Sequence, residues 1–85
     1  MGRGNAIIEV YDKSGTKHIG YLQSLSYSKE TYKITKDVKN AKVYSFSEYL
    51  IKALNWLNNI DTQHYYAYTA ESIFKSKVNN SVRRG

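Results

Sequence analysis

The apolar positions of this chain keep two rhythms. From residue 6 to residue 35 they recur with a period near two. From 46 to 60 they recur at helical spacing, and from 63 to 69 the two-residue rhythm returns. Ala6-Ile7-Ile8-Glu9-Val10-Tyr11 is β-branched and aromatic, the composition of a strand. Asp12-Lys13-Ser14-Gly15-Thr16 follows as turn chemistry, with Gly15 free to take the positive φ that closes a hairpin. A second strand runs from Lys17 to about Tyr27. Gly20 and Leu22 share one face, whereas Leu25 and Tyr27 fall on the other parity, so one extra residue near Gln23-Ser24 is expected as a bulge. After a turn at Ser28-Lys29-Glu30, Thr31–Thr35 alternates with Tyr32 and Ile34 inward. Asp37–Asn40 fits a further turn or a single helical turn, and Ala41–Tyr44 has the composition of a short extra strand.

Ser45 and Glu48 have the spacing of a capping box. Phe46, Leu50, Ala53, Leu54 and Leu57 define a buried helical stripe, widened by Tyr49, Trp56 and Ile60, and Asn58-Asn59 is expected to end the helix. Gln63–Thr69 reads as the last strand. Ile73 and Phe74 then start a short helix or pack across the sheet edge. One amphipathic helix requires one apolar sheet face. The predicted fold is therefore α+β: a two-layer sandwich with an antiparallel sheet of three to five strands and one main helix, in the order ββ(β)αβ. Residues 1–77 form a single domain, and 78–85 form a flexible basic tail.

Composition narrows the class. Eighty-five residues support one domain with one modest core. With no cysteine, neither disulfides nor thiolate metal sites are available, which suits a reducing compartment. No apolar run approaches the ~20 residues of a membrane span, and no signal-peptide pattern opens the chain. The expectation is a soluble, cytoplasmic protein. The lack of proline beside abundant Lys, Asn, Ile, Ser and Tyr also resembles translation from an AT-rich genome, which accounts for part of the tyrosine content.

The net charge is +6, and it is uneven. Residues 28–42 carry five lysines against Glu30 and Asp37. Residues 71–85 carry Lys75, Lys77, Arg83 and Arg84 against Glu71. Nine tyrosines accompany this charge. A phenol supplies rigid apolar area and one polar tip, which suits a recognition surface. It is equally an ordinary half-buried strand residue. Within the last strand Tyr66 and Tyr68 share a face and Tyr65 opposes them. The face away from the helix is expected to expose Tyr21, Tyr27, Tyr66 and Tyr68 as a contact surface. Lys33, Lys36, Lys39 and Lys42 would steer association, or would guard an edge strand against aggregation.

Catalytic chemistry is sparse. His18 and His64 are the only histidines, His64 with Asp61 is the only local histidine–acid pair, and no serine sits in a nucleophile-elbow pattern. Gly2-Arg3-Gly4 is too short for a phosphate-binding loop. No enzyme activity, metal or cofactor is expected.

The stretch from Tyr32-Lys33-Ile34-Thr35-Lys36-Asp37 through Lys39-Asn40-Ala41-Lys42-Val43-Tyr44-Ser45, running into the helix, resembles a pattern in small phage and prophage accessory proteins of low-GC Gram-positive bacteria. The likeness covers residues 32–57. It implies a compact α+β accessory protein and transfers no catalytic residue. Proteins of that kind often bind and block one host factor, including defence systems. A net charge of +6 excludes the acidic DNA-mimic strategy. Three readings follow. The first is a non-enzymatic inhibitor or adaptor of a host protein or ribonucleoprotein complex (anti-CRISPR-like or another form of counter-defence), acting as a small homo-oligomer. The second is a single-stranded nucleic-acid-binding module using sheet tyrosines and lysines. The third is a sponge for a nucleotide signal, held between subunits.

Overall fold

A computed structural model describes residues 3–70, with side chains from Asn5 onward. The expected basic tail and the Ile73-Phe74 pair lie outside the described residues. The fold is α+β, an antiparallel five-stranded sheet with one α-helix against one face. The strands are β1 (Arg3–Asp12), β2 (His18–Ser26), β3 (Thr31–Thr35), β4 (Tyr44–Phe46) and β5 (His64–Ala70). The helix α1 (Ser47–Ile60) lies between β4 and β5, and a 3-10 turn (Val38–Asn40) follows β3.

β1 is the organising strand because its apolar run has partners on both sides. Ala6 faces Tyr44 on one side and Ala70 on the other, and Glu9 faces Tyr21 and Ala67. So β5 runs along one edge of β1, while β2 and β4 share the opposite edge. β2 pairs with β1 through Tyr11, Val10 and Glu9. Beyond Tyr21 its registered partners are on β3. The chain re-enters where the Lys42 N–H donates to the Leu22 carbonyl at 2.8 Å. It then runs as β4 beside the first half of β1. The sheet is thus split between β4 and the far half of β2.

The even-numbered residues of β1 face the helix. Ala6, Ile8 and Val10 pack with Leu22, Tyr44, Tyr66 and the helical stripe Leu50, Ala53 and Leu57. Tyr32, Ile34 and Leu25 border this core. The expected bulge is present, since the β2–β3 register shifts between Leu22 and Ser24, which brings Leu25 back to the apolar side. The first hairpin closes on Asp12, whose carboxylate accepts from the Thr16 and Lys17 N–H groups at 2.9 and 3.1 Å, with Gly15 at φ +78°.

The structure corrects two local expectations. No capping box forms at Ser45, because Ser45 is held extended in β4. The helix starts at Ser47, with Phe46 at its N-terminus and no side-chain cap. Pairing with β1 outweighs a cap of about 1 kcal/mol. Phe46 consequently leaves the buried stripe and is 44% exposed. Nor does Asn58 end the helix, which continues to Ile60. The Asn58 amide instead pairs with the Tyr66 backbone, accepting from its N–H at 2.9 Å and donating to its carbonyl at 3.0 Å. One side chain thereby ties α1 to β5.

Candidate binding groove

Three segments converge at the mouth of the split. β4 is extended and presents Phe46. On α1, Tyr49 and Lys52 stand three residues apart, a spacing that aligns them on one flank of the helix. Leu25 and Tyr27 come from the end of β2. Together with Lys42, Val43, Tyr44 and Ser45, these segments line a groove of about 500 Å³. That volume falls within the usual range for ligand pockets, ~300–1,000 Å³.

The groove is aromatic and cationic. Lys52 Nζ lies 4.8 Å from the centre of the Tyr27 ring, and Lys42 Nζ lies 5.2 Å from that of Tyr44. Trp56 meets Tyr27 edge-on at 5.0 Å, and Phe46 meets Tyr49 at 5.9 Å with the rings at 88°. Tyr44 is buried in the core, and burial, followed by the neighbouring Tyr27 phenol, pushes its hydroxyl up to about 12. Burial raises Tyr27 as well. Both phenols are neutral at physiological pH, so the fixed charge of the lining comes from the two lysines. Among the described residues no acidic side chain lines the groove. Val43, Phe46 and Tyr49 are exposed, Tyr49 by 62%.

The residues expected to form one contact surface are dispersed. Tyr27 and Lys42 lie in the groove, and the Tyr27 ring packs against Trp56 and Lys52 of α1, which corrects the expectation that it faces away from the helix. Tyr66 is only 2% exposed and belongs to the core, which corrects the expectation that its ring faces outward. Its parity in β5 places it opposite Val10, on the helix side. Tyr68 shares that parity. It lies opposite Ile8, on the helix side of the sheet and not on the face away from it as expected, in the outermost strand among the described residues, and is 60% exposed. Tyr21 is on the other face. Lys33 on β3, and Lys36 and Lys39 beyond it, are exposed. Phe46, Tyr49 and Lys52 were not foreseen. Their signal was the flank of the helical stripe, which also suits extra core.

Two buried carboxylates mark the remaining polar chemistry. Asp61 gathers Tyr66 and Tyr32 hydroxyls at 2.5 and 2.7 Å and His64 Nδ1 at 3.0 Å on one oxygen, and the Gln63 N–H at 2.8 Å on the other. Burial alone would raise its pKa. The hydrogen bonds from Tyr66, Tyr32, Gln63 and His64 outweigh that and hold it well below the ordinary range. Tyr66 and Tyr32 shift upward through burial and through this carboxylate.

On the opposite face Glu9 is 6% exposed. It accepts from Tyr11 at 3.3 Å and from the Thr69 hydroxyl, and it lies 3.1 Å from His18 Nε2. The Tyr21 ring abuts His18 at 4.9 Å. This second histidine–acid pair is formed across the hairpin and is invisible to local spacing. Both Glu9 oxygens are engaged. Among the described residues no group of three or more His, Asp or Glu side chains is placed to hold a metal ion. No helix there is long and apolar enough to cross a membrane. Comparison with protein-family models, curated proteins and solved structures gives no match.

Proposed function

We propose that this is a non-enzymatic accessory protein of phage type. It binds a host factor stoichiometrically in the bacterial cytoplasm, and its contact surface is the aromatic–lysine groove. The observation that carries this reading is the cluster of exposed Val43, Phe46 and Tyr49 beside Lys42 and Lys52, with no acidic residue in the lining among the described residues. A contiguous apolar patch rimmed by charge is the usual mark of an interaction site, and aromatic anchors carry most interface energy. The likeness of residues 32–57 to small phage proteins supplies the host setting, with a defence complex as the target class. Engagement of both Glu9 oxygens favours a structural over a catalytic role for the Glu9–His18 pair.

Single-stranded nucleic acid is the weaker alternative. Base stacking needs free ring faces, and only Phe46 and Tyr49 in the groove offer them, since Lys52 and Trp56 already crowd Tyr27 and Tyr44 is buried. A nucleotide sponge would need a phosphate cradle between subunits, and the groove supplies only the two lysines.

The test is capture from host lysate, with and without nuclease, using wild type and the Phe46→Ala/Tyr49→Ala double variant. Both positions are exposed, so the melting temperature should stay within a few degrees. Affinity for the captured partner should fall roughly 30-fold or more, the effect of losing a ~2 kcal/mol hot spot. Unchanged capture by the double variant refutes the groove as the contact. Capture that disappears with nuclease assigns the partner to nucleic acid.

A further inference from the structure

We propose that the split between β4 and the far half of β2 is a slot for an extended acidic segment of a protein partner. The segment would add to the outer edge of β4, laying apolar side chains on Phe46 and Tyr49 and carboxylates toward Lys42 and Lys52. This rests on the reading of the groove as the contact surface and specifies what fills it.

The backbone comes first. β4 pairs with β1 on one side and has no strand on the other among the described residues. An unpaired edge is a template for a further strand, and strand addition is a common mode of peptide capture. Across the split, β2 has its registered partners on β3, and beyond the Lys42 N–H bond to the Leu22 carbonyl its inner side from Ser24 to Ser26 has no strand among the described residues. Side chains come next. Among the described residues the groove carries two ammonium groups and no carboxylate, so the complementary segment is acidic. The exposed Phe46 and Tyr49 rings, edge-to-face at 5.9 Å, offer apolar surface for side chains spaced two residues apart. A second copy of this chain is a poor occupant, because a net charge of +6 repels itself.

The test selects displayed random dodecapeptides on the immobilised full chain and then titrates the enriched peptides by fluorescence anisotropy. Enriched sequences should place Asp or Glu beside aromatic or aliphatic residues. Binding should weaken at least tenfold in Lys42→Glu/Lys52→Glu, and also, to a lesser degree, in Lys42→Gln/Lys52→Gln. Both positions are exposed, so circular dichroism and melting should match wild type. N-methylation at one of two adjacent central peptide positions should weaken binding by at least tenfold, since it removes a backbone donor. Amide exchange at residues 43–46 should slow on binding.

The proposal is overturned by failure to enrich acidic peptides, by binding indifferent to charge reversal, or by tolerance of N-methylation at every position. It is also overturned if oligonucleotides alone occupy the groove. Lysate capture separates the two levels. A partner that needs Phe46 and Tyr49 while acidic peptides fail leaves the contact surface standing and removes the extended segment. A partner indifferent to Phe46 and Tyr49 removes both.

Discussion

Asp61 sits where the C-terminus of α1 meets β5, and its carboxylate is the point at which three elements are pinned. Tyr32 reaches it from β3, Tyr66 and His64 from β5, and its own backbone N–H closes the helix on the Leu57 carbonyl at 2.9 Å. A tyrosine hydroxyl buried without an acceptor costs about 1–3 kcal/mol. Asp61 therefore decides whether Tyr66 can be a core residue. Tyr49 has no carboxylate partner among the described residues, and its ring, edge-on to Phe46, is 62% exposed. Tyr66 and Tyr49 thus serve two roles, the first with its hydroxyl on the Asp61 carboxylate and the second exposed. Because Asp61 is held below its unfolded pKa of ~3.9, the stability it contributes is complete above that pH and is lost as pH falls toward the depressed native value. Asp61→Asn should cost at least about 2 kcal/mol at pH 7, a fall of roughly 8–16 °C in melting temperature. Its stability should also depend less on pH between 5 and 2 than that of wild type. Some acid sensitivity should survive, because Asp12 is also lowered, first by the Lys17 N–H bond. Urea unfolding at pH 7, 4 and 2 reads both effects. Equal pH slopes in the two proteins would show that Asp61 does not carry the linkage.

At the scale of elements, β2 shows which features local pattern reveals and which it hides. Its phase change forecast the bulge after Leu22, and Thr31–Thr35 was legible from alternation alone, because both follow from which side chains one strand must turn inward. The start of α1 was misplaced because Ser45 and Glu48 advertise a cap, while pairing of Tyr44 and Phe46 with β1, some forty residues away in sequence, leaves no trace in local spacing. Half of the groove was hidden for the same reason. Tyr27 and Lys42 were recognisable by chemistry, but only the split sheet shows that Phe46, Tyr49 and Lys52 stand beside them. Gly20 is a further case of non-local demand. A Cβ there would lie 2.6 Å from the Thr35 carbonyl oxygen and 3.2 Å from an Ile34 methyl, because β2 and β3 approach closely where Gly20 faces Val10. The obstructing atom is backbone and cannot rotate away. Gly20→Ala should therefore destabilise by about 1–3 kcal/mol, lowering the melting temperature by roughly 5–20 °C. A calorimetric scan within 2 °C of wild type would mean that β2 and β3 separate without cost.

At the scale of the whole molecule, the proposed groove contact predicts that approach and retention fall to different lysines. Lys33, Lys36 and Lys39 are exposed on β3 and the connection after it, and none lines the groove. Lys42 is the next lysine along that connection and does. Charges outside a contact act through the long-range field, which 0.1 M salt screens within ~10 Å, and they influence the association rate. Charges inside a contact are lost when the complex opens and influence dissociation. Replacing Lys33, Lys36 and Lys39 with glutamine should slow association with an acidic partner about three- to tenfold at low ionic strength. It should leave the dissociation rate within twofold and flatten the salt dependence of association. The Lys42→Gln/Lys52→Gln pair should do the reverse, raising the dissociation rate with a smaller effect on encounter. Stopped-flow association between 20 and 500 mM salt, over which the Debye length falls from roughly 20 Å to about 4 Å, spans the regime in which the two behaviours separate. If the distal triple variant accelerates dissociation as much as the groove pair, the partner reaches across β3 as well, and the contact is wider than the split in the sheet.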